Sequence, residues 1–495
     1  MRVTNNMMRN NSMMNMQKNK VTYNKHLQEY NTQKKIQRPS DDPTIAVRAL
    51  KYRTTLSEID QYLSNIDDAI SWMDATETVM KDVDGRLDEM ITICTQAATG
   101  TVNAEDRENL VLQLRESAAY IFEQDANQDY AGRYLFTGYR TDVPLLFENT
   151  QTNVTYNITE EIDINHINKY EYVYGEPSFD DSKSAQDYAS EASRFNTTHR
   201  ALVSYDNCDD DQTMSVTYTD ADGNEVTVEA ITKKIEDDAN LNEHLNPGDD
   251  EIFFVPETGE IVFGDGIYDS IRAGSGLSVN YQKTEFENGE IRPEHYFDCV
   301  AKDNTTGKEI KYSNADEQTI KYQINFGQTL TVNTQACNAF DTSIYRHVDE
   351  ISNVCNDLNI MERNLEAVQK RISDCDQGDT ETLANLKELE EQISTEIQLQ
   401  NSVLQKSLSS AITTMQNQKN TLNVAMANHG SRYNRMLMTQ SKLEEQRIDT
   451  DDAKSQNEDA DLGEAYIGFT EANLLYQATL NATSKILGQS LLDFI

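Results

Sequence analysis

The chain has 495 residues, a formal net charge of −41 and a single tryptophan, Trp72. That length leaves room for two to four domains with ample core, while the charge excludes polyanionic nucleic acid and anionic membrane surfaces as partners. No stretch is apolar for the length a membrane helix needs. The opening MRVTNNMMRNNSMMNMQKNKV has neither the apolar block nor the small-residue cleavage site of a secretory leader.

Seven prolines partition the sequence. Pro39 and Pro43 bracket one junction, and Pro144, Pro177, Pro247, Pro256 and Pro293 occupy one central block. A helix-interior proline costs about 3 kcal/mol, so the proline-free tracts on either side of that block fit long helices. At the first junction Asp42 suits an N-cap, with Pro43 at the first helical position. The helix that follows is expected to run to about Gly100, roughly 80 Å at the α-helical rise. Its apolar stripe passes through Ile45, Ala49, Tyr52, Leu56, Ile59, Leu63, Ile66, Ile70, Met73, Glu77, Met80, Asp84, Leu87 and Ile91. Steps of four and three make a 3.5-residue repeat, whose narrow seam calls for a partner helix. Asn103 caps a second helix toward Gln128, with Glu105 and Asp106 in its first turn.

From Gly132 the period changes. Met214–Tyr218 and Glu225–Glu229 flank Asp220-Ala-Asp-Gly-Asn224, and Glu251–Val255 and Glu260–Phe263 flank Pro256-Glu-Thr-Gly259. Both read as hairpins in a β-rich insert that extends to roughly Asn333. Helical periodicity resumes at Ile344, reverses at Asp376-Gln-Gly-Asp379, and continues through a longer helix that tolerates Gly430. The last helix is expected to begin near Asn457-Glu458-Asp459. It carries a second stripe: Leu462, Tyr466, Phe469, Asn473, Tyr476, Leu480, Thr483, Leu487, Ser490 and Phe494.

The fold class expected is mainly α with an inserted β-rich domain, a discontinuous long-helix rod formed by the N- and C-terminal segments. Residues 1–42 with 457–495 form a terminal helical domain, 43–143 with 334–456 the long-helix domain, and 144–333 the outer insert. The middle helices can cover one another. The two ends have little local surface to bury, so they are expected to order only on assembly. The candidate interface positions are Val3, Met7, Met14, Leu462, Tyr466, Phe469, Tyr476, Leu480, Leu487 and Phe494.

Patterns that resemble chemistry have plainer readings. Asp220-Ala-Asp-Gly-Asn224 carries its glycine at the fourth position rather than the sixth of a calcium loop, between alternating strand-like residues, so it reads as a turn. Gly264-Asp-Gly266 and Gly274-Ser-Gly276 lack the strand–glycine–helix context of a nucleotide loop and read as turns. His295 reads as a structural polar residue, and no nucleophile–base set emerges. The six cysteines show no metal-binding spacing and read as reduced. No catalytic residue, metal or cofactor is expected.

Pro39-Ser40-Asp41-Asp42-Pro43, the segment Ala131-Gly132-Arg133-Tyr134-Leu-Phe136-Thr-Gly138, and Glu458-Asp459-Ala-Asp461 resemble flagellin-type proteins. So does the ending Leu487-Gly-Gln-Ser-Leu-Leu-Asp-Phe-Ile495. The opening Met-Arg-Val-Thr and the Gly132–Gly138 segment are most similar to the hook-associated members. This resemblance implies a fold of stacked domains and a non-enzymatic structural adaptor joining hook to filament. It also implies export without a cleaved leader to an extracellular organelle. The partners it implies are hook-associated protein 1, flagellin, further copies of the chain and an export chaperone. A major filament flagellin, or a flagellin-like carrier of a surface- or ligand-binding domain, is the alternative.

Overall fold

The computed structural model describes residues 5–99, 103–174, 194–210, 212–235, 237–238, 241–313, 318–375 and 380–488. The chain order is α1 (Asn5–Thr32), α2 (Pro43–Ala97), α3 (Ala104–Ala119), β1 (Asp129–Tyr130), β2 (Arg133–Tyr134), β3 (Val154–Glu161), β4 (Asn168–Tyr174), β5 (Arg194–Leu202), β6 (Ser215–Thr219), β7 (Glu225–Glu229) and β8 (Ile231–Thr232). It continues α4 (Leu241–His244), β9 (Ile252–Val255), β10 (Glu260–Phe263), α5 (Asp265–Ala273), β11 (Ser275–Lys283), α6 (Pro293–Tyr296), β12 (Asp298–Asp303), β13 (Glu309–Tyr312), β14 (Lys321–Asn325) and β15 (Gln328–Thr331). Three helices close the chain: α7 (Ser343–Asp374), α8 (Thr380–Glu458) and α9 (Leu462–Gly488). The fold is mainly α with an inserted β-rich region.

Two compact units form. One comprises Met1–Ala69, Tyr322–Leu330 and Asn434–Ile495; the other comprises Ile70–Lys321 and Thr331–Tyr433.

The long helices start and pack for local reasons. The Asp42 carboxylate accepts from Thr44 N at 2.8 Å and Ile45 N at 3.2 Å, capping α2 ahead of Pro43. Asn103 caps α3 by accepting from Asp106 N, but α3 gives way after Ala119 to a π-turn, Tyr120–Asp125. Along α2 one line of the expected stripe is buried: Ile59, Ile66, Met73, Met80 and Leu87. The second line falls elsewhere, on Ala69, Thr76, Val83 and Met90. Glu77, Asp84 and Ile91, expected on the seam, stay half-exposed. A rotation of one residue takes both carboxylates out of the core. Gly430 leaves α8 unbroken.

The insert holds two larger sheets, ordered β13-β12-β3-β11-β6-β7 and β4-β5-β10-β9-β8, antiparallel except where β8 meets β9. Both expected hairpins form, β6–β7 and β9–β10. In the first turn Asp220 accepts from Asp222 N and Asn224 N, which makes it a turn and not an ion loop. The Gly264-Asp-Gly266 reading needs correction. Gly264 caps α5 directly after β10, and a side chain there would collide with the Gly248 carbonyl. The expected turn at 376–379 lies outside the described residues.

A buried charge cluster ties the sheet to the helices within the second unit. Arg200 on β5 is 6 % exposed and pairs with Glu260 at 2.8 Å and with Glu350 of α7 at 2.5 Å. Its guanidinium lies 3.5 Å from the Tyr170 ring centre, and Ser407 of α8 donates to Glu350 at 2.8 Å. Burial pushes the Glu350 carboxyl up, but Arg200 outweighs it and holds it down to about 2.

Three histidines, His295, His347 and His429, are buried in the same unit. His429 donates to the Met73 carbonyl at 2.9 Å, and burial lowers its pKa. Burial, reinforced by Arg140 and Arg292, lowers that of His295 to about 3. The unfolded chain therefore takes up these protons first, at its ordinary value of about 6.5. The contribution of His295 and His429 to stability should fall as pH drops below about 6.5, by up to roughly 1.4 kcal/mol per pH unit for each, while Asp125, whose burial raises its pKa to about 6, acts in the opposite direction. Denaturant titrations at pH 7.5 and 5.5 check this, and His295→Asn should flatten part of the slope.

Candidate assembly interface

The first and last helices lie in one unit and pack on each other. Half-buried residues of α1 recur at Ser12, Met16, Asn19, Tyr23 and His26, the three–four spacing of a helix seam. On α9 the matching positions are Ala465, Phe469, Ala472, Tyr476, Thr479 and Thr483. Partners descend along one helix as they ascend along the other, so the pair is antiparallel. Asn19 donates to Thr479 Oγ1 at 2.6 Å, and Tyr23 stacks on Tyr476 and tilts on Phe469, both with centroids 5.6 Å apart. Tyr30 stacks on Phe469 at 5.8 Å. His26 lies over Gly468, where a Cβ would come within 3.0 Å of its Nδ1. An asparagine in a helix seam fixes register at a cost in stability. The single chain thus pairs its ends already, because the tyrosines of α1 supply surface that the sequence reading did not credit.

Tyr23 contacts two α9 rings, so Tyr23→Ala should destabilise the pair by about 2–4 kcal/mol. Hydrogen exchange should show faster exchange in both end helices, with α7 amides unchanged.

At its base the pair is locked by charge. Lys35 N donates to Glu458 O at 2.8 Å and Ala460 N to Gln33 O at 2.9 Å, with Gln33 at φ 57°. The Glu458 carboxylate, 3 % exposed, accepts from Lys34 Nζ at 2.9 Å and from Arg53 Nη2 at 2.7 Å. Burial opposes ionisation there, but the two cations prevail and hold its pKa below the usual carboxylate range. Asp459 also accepts from Lys34, and from Ser455 Oγ at 2.7 Å.

The expected start of the last helix near 457–459 is corrected by this arrangement. Helix α8 runs through Glu458, and Asp461 caps α9 by accepting from Gly463 N at 2.7 Å. At the other crossing Asp41 accepts from the amides of Arg38 and Gln37, which lowers its pKa, and Pro39 and Ser40 lie exposed in the same turn.

Each face turned away from the pair carries a line of apolar residues. On α1, Met7, Met14 and Val21 recur every seven residues and are 58, 50 and 69 % exposed. On α9, Ile467 and Leu474 do the same at 58 and 74 %, with Leu475 beside them. Of the sequence candidates, Met7 and Met14 fall on this outer α1 line. Leu462, Tyr466 and Leu480 are exposed on the flank of α9, while Phe469 and Tyr476 face α1. Leu487 lies in α9 at a position whose side chain is not described; Val3 and Phe494 lie outside the described residues. Sequence reading missed Ile467 and Leu474. Their seven-residue spacing was the available signal, hidden by the stronger aromatic stripe beside it.

The remaining motif positions sit in the other unit. Gly132 (φ 75°) turns β1 into β2 and donates its N–H to Asp129, with Arg133 and Tyr134 on β2. Phe136 is buried edge-on to Phe340 at 4.8 Å. Gly138 (φ 62°) leaves no room for a Cβ beside Gln318.

Residues 3–141 match the bacterial flagellin N-terminal helical region. Flagellar hook-associated protein 3 of Salmonella typhimurium and that of Escherichia coli are each 25 % identical over 142 residues, 29 % of this chain and 45 % of theirs. The chain therefore spans less than half the length of these curated relatives. Among solved structures, a flagellar hook-associated protein from Vibrio parahaemolyticus aligns over 85 % of this chain and 100 % of its own, with 13 % identity and a TM-score of 0.36. FlgL of Xanthomonas campestris aligns over 82 % and 99 %, with 10 % identity and a TM-score of 0.31. Residues 3–141 thus match the flagellin N-terminal helical region, and over 142 residues the chain is similar to flagellar hook-associated protein 3.

Proposed function

We propose that this chain is a non-enzymatic structural subunit of the bacterial flagellum that joins hook to filament. The α1–α9 pair is its assembly element. The observation that carries this reading is the doubled apolar surface of the pair, Met7, Met14 and Val21 on one helix and Ile467 and Leu474 on the other. A solvated helix pair has no use for two such lines, whereas a packed tube of helices buries both. The partners in this reading are hook-associated protein 1 on one side, filament flagellin on the other, and further copies of the chain around the tube. An export chaperone covers the end helices in the cytoplasm before the subunit leaves the cell. Residues 1–42 with 457–495 form the inner domain, 43–143 with 334–456 the long-helix domain, and 144–333 the outer one. Immunogold labelling of isolated flagella tests this: a single band at the hook end is expected, and labelling along the filament would make the chain a filament flagellin instead.

A further inference from the structure

The hairpin β14–β15 lies in the first unit from Tyr322 to Leu330, and its connection is two residues long, Phe326-Gly327. Gly327 supplies the left-handed conformation of the turn, at φ 67°. Phe326 stands beside it at 86 % exposure, the most exposed large apolar side chain among the described residues. Hairpin turns favour asparagine, aspartate and glycine, so a phenylalanine gains nothing there locally. Its base is ordered all the same. Ile324 and Leu330 are buried, and Asn65 of α2 donates to the Gln323 carbonyl at 2.9 Å. The ring is therefore held out into solvent on an anchored support.

The same unit carries a groove of about 440 Å³ between α2 and α8. Leu56 and Ile448 supply its apolar part, and Ile448 is 62 % exposed. Arg53 and Arg447 flank them, each fixed by a carboxylate: Arg53 by Glu458 at 2.7 Å and Arg447 by Asp60 at 2.8 Å. With Lys454 and Asp451 the lining holds three cations and two carboxylates. Either charge on an incoming side chain meets its like, whereas an uncharged ring packs on the aliphatic pair and offers its face to a guanidinium. In the single chain ring and groove do not meet, since Phe326 is solvated. Each copy nonetheless presents both halves, which makes a second copy the occupant.

We propose that Phe326 of one copy inserts into the α2–α8 groove of a neighbouring copy, between Leu56 and Ile448. Knob and hole occupy different places on one surface, so the contact is head-to-tail and repeats from copy to copy, closing a ring or continuing as a tube. One ring buries far less than the roughly 1,000 Å² of a stable interface, so the contact forms only where the outer faces of α1 and α9 also meet neighbours. It thus rests on the flagellar reading and adds to it a specific contact between copies. A photoreactive residue at Phe326, irradiated in intact flagella, tests this. The expected product is a dimer of the chain whose linked peptide carries Leu56 or Ile448. With the photoreactive residue at Ile448 instead, Phe326→Ser should lower the dimer yield by about fivefold or more. The same change should leave the melting temperature of the free chain unaltered, because Phe326 is already solvated. Links from Phe326 to another protein, to a different part of the chain, or only within one chain overturn the proposal. Position Leu474 separates its failure from that of the flagellar reading. Adducts with neighbouring chains from Leu474 and none from Phe326 sink the Phe326 contact alone, and none from either position sinks both.

Discussion

Arg200→Met is expected to cost the second unit about 3–5 kcal/mol. The reason is what remains behind. Glu350 and Glu260 both lose a cation that lies 2.5 and 2.8 Å away, and Glu350 is enclosed by α7 and α8, left with Ser407 and with His347 at 3.8 Å. Two carboxylates then share a site of low polarity without a counter-charge, so at least one must protonate or the site must open. Chemical denaturation at pH 7.5 measures the loss. Glu350→Gln added to Arg200→Met should recover a good part of it, because a neutral amide can still accept from Ser407. A loss below about 1 kcal/mol would mean that water already reaches the cluster.

The second large effect concerns assembly and spares the monomer. Leu474 is 74 % exposed on the face of α9 turned away from α1, so Leu474→Asp exchanges one solvated side chain for another in the free chain. Its melting temperature and helix content should be nearly unchanged. Once a neighbouring helix covers that face, the same carboxylate is buried unpaired. Incorporation at the hook tip should then be abolished, and flagellin should appear unpolymerised in the medium. Leu480→Asp, on the flank of α9, should act in the same direction less severely. Normal filaments on Leu474→Asp cells would refute the assembly role of this face.

The contrast between these two substitutions reflects what a sequence displays. Short-range devices were readable: the Asp42 cap before Pro43, the Asn103 cap, and the hairpins around Gly223 and Gly259 all rest on residues within a few positions of one another. The 3.5-residue repeat in α2 was also readable, but only one of its two lines was assigned correctly. Ile59, Met73 and Leu87 keep their places, while Val83 and Met90 are buried in place of Asp84 and Ile91: periodicity allows either neighbour, and burying Val83 spares the Asp84 carboxylate, with Met90 following two turns later on the same line. The α1 seam escaped notice because Asn19 and His26 stand at positions where a search for apolar residues finds nothing. Sheet order was beyond reach. Strand β3 sits between β12 and β11, more than a hundred residues away, and no local pattern encodes such pairing. The same holds for Arg200 and Glu350, and for Glu458, whose burial depends on Lys34 and Arg53 from the opposite end of the chain. The flanking acids Asp459 and Asp461 stood out in the sequence, yet Glu458 is the one enclosed.

The central claim is that the outer faces of the α1–α9 pair meet neighbouring subunits in the flagellum. Site-specific photo-crosslinking in intact flagella addresses it directly, with a photoreactive residue at Leu474 and, separately, at Tyr23. Irradiation of the Leu474 position should give adducts between chains, absent from the purified monomer, whereas the Tyr23 position should link only α1 to α9 within one chain. Exclusively intrachain products from Leu474 in assembled flagella would contradict the account.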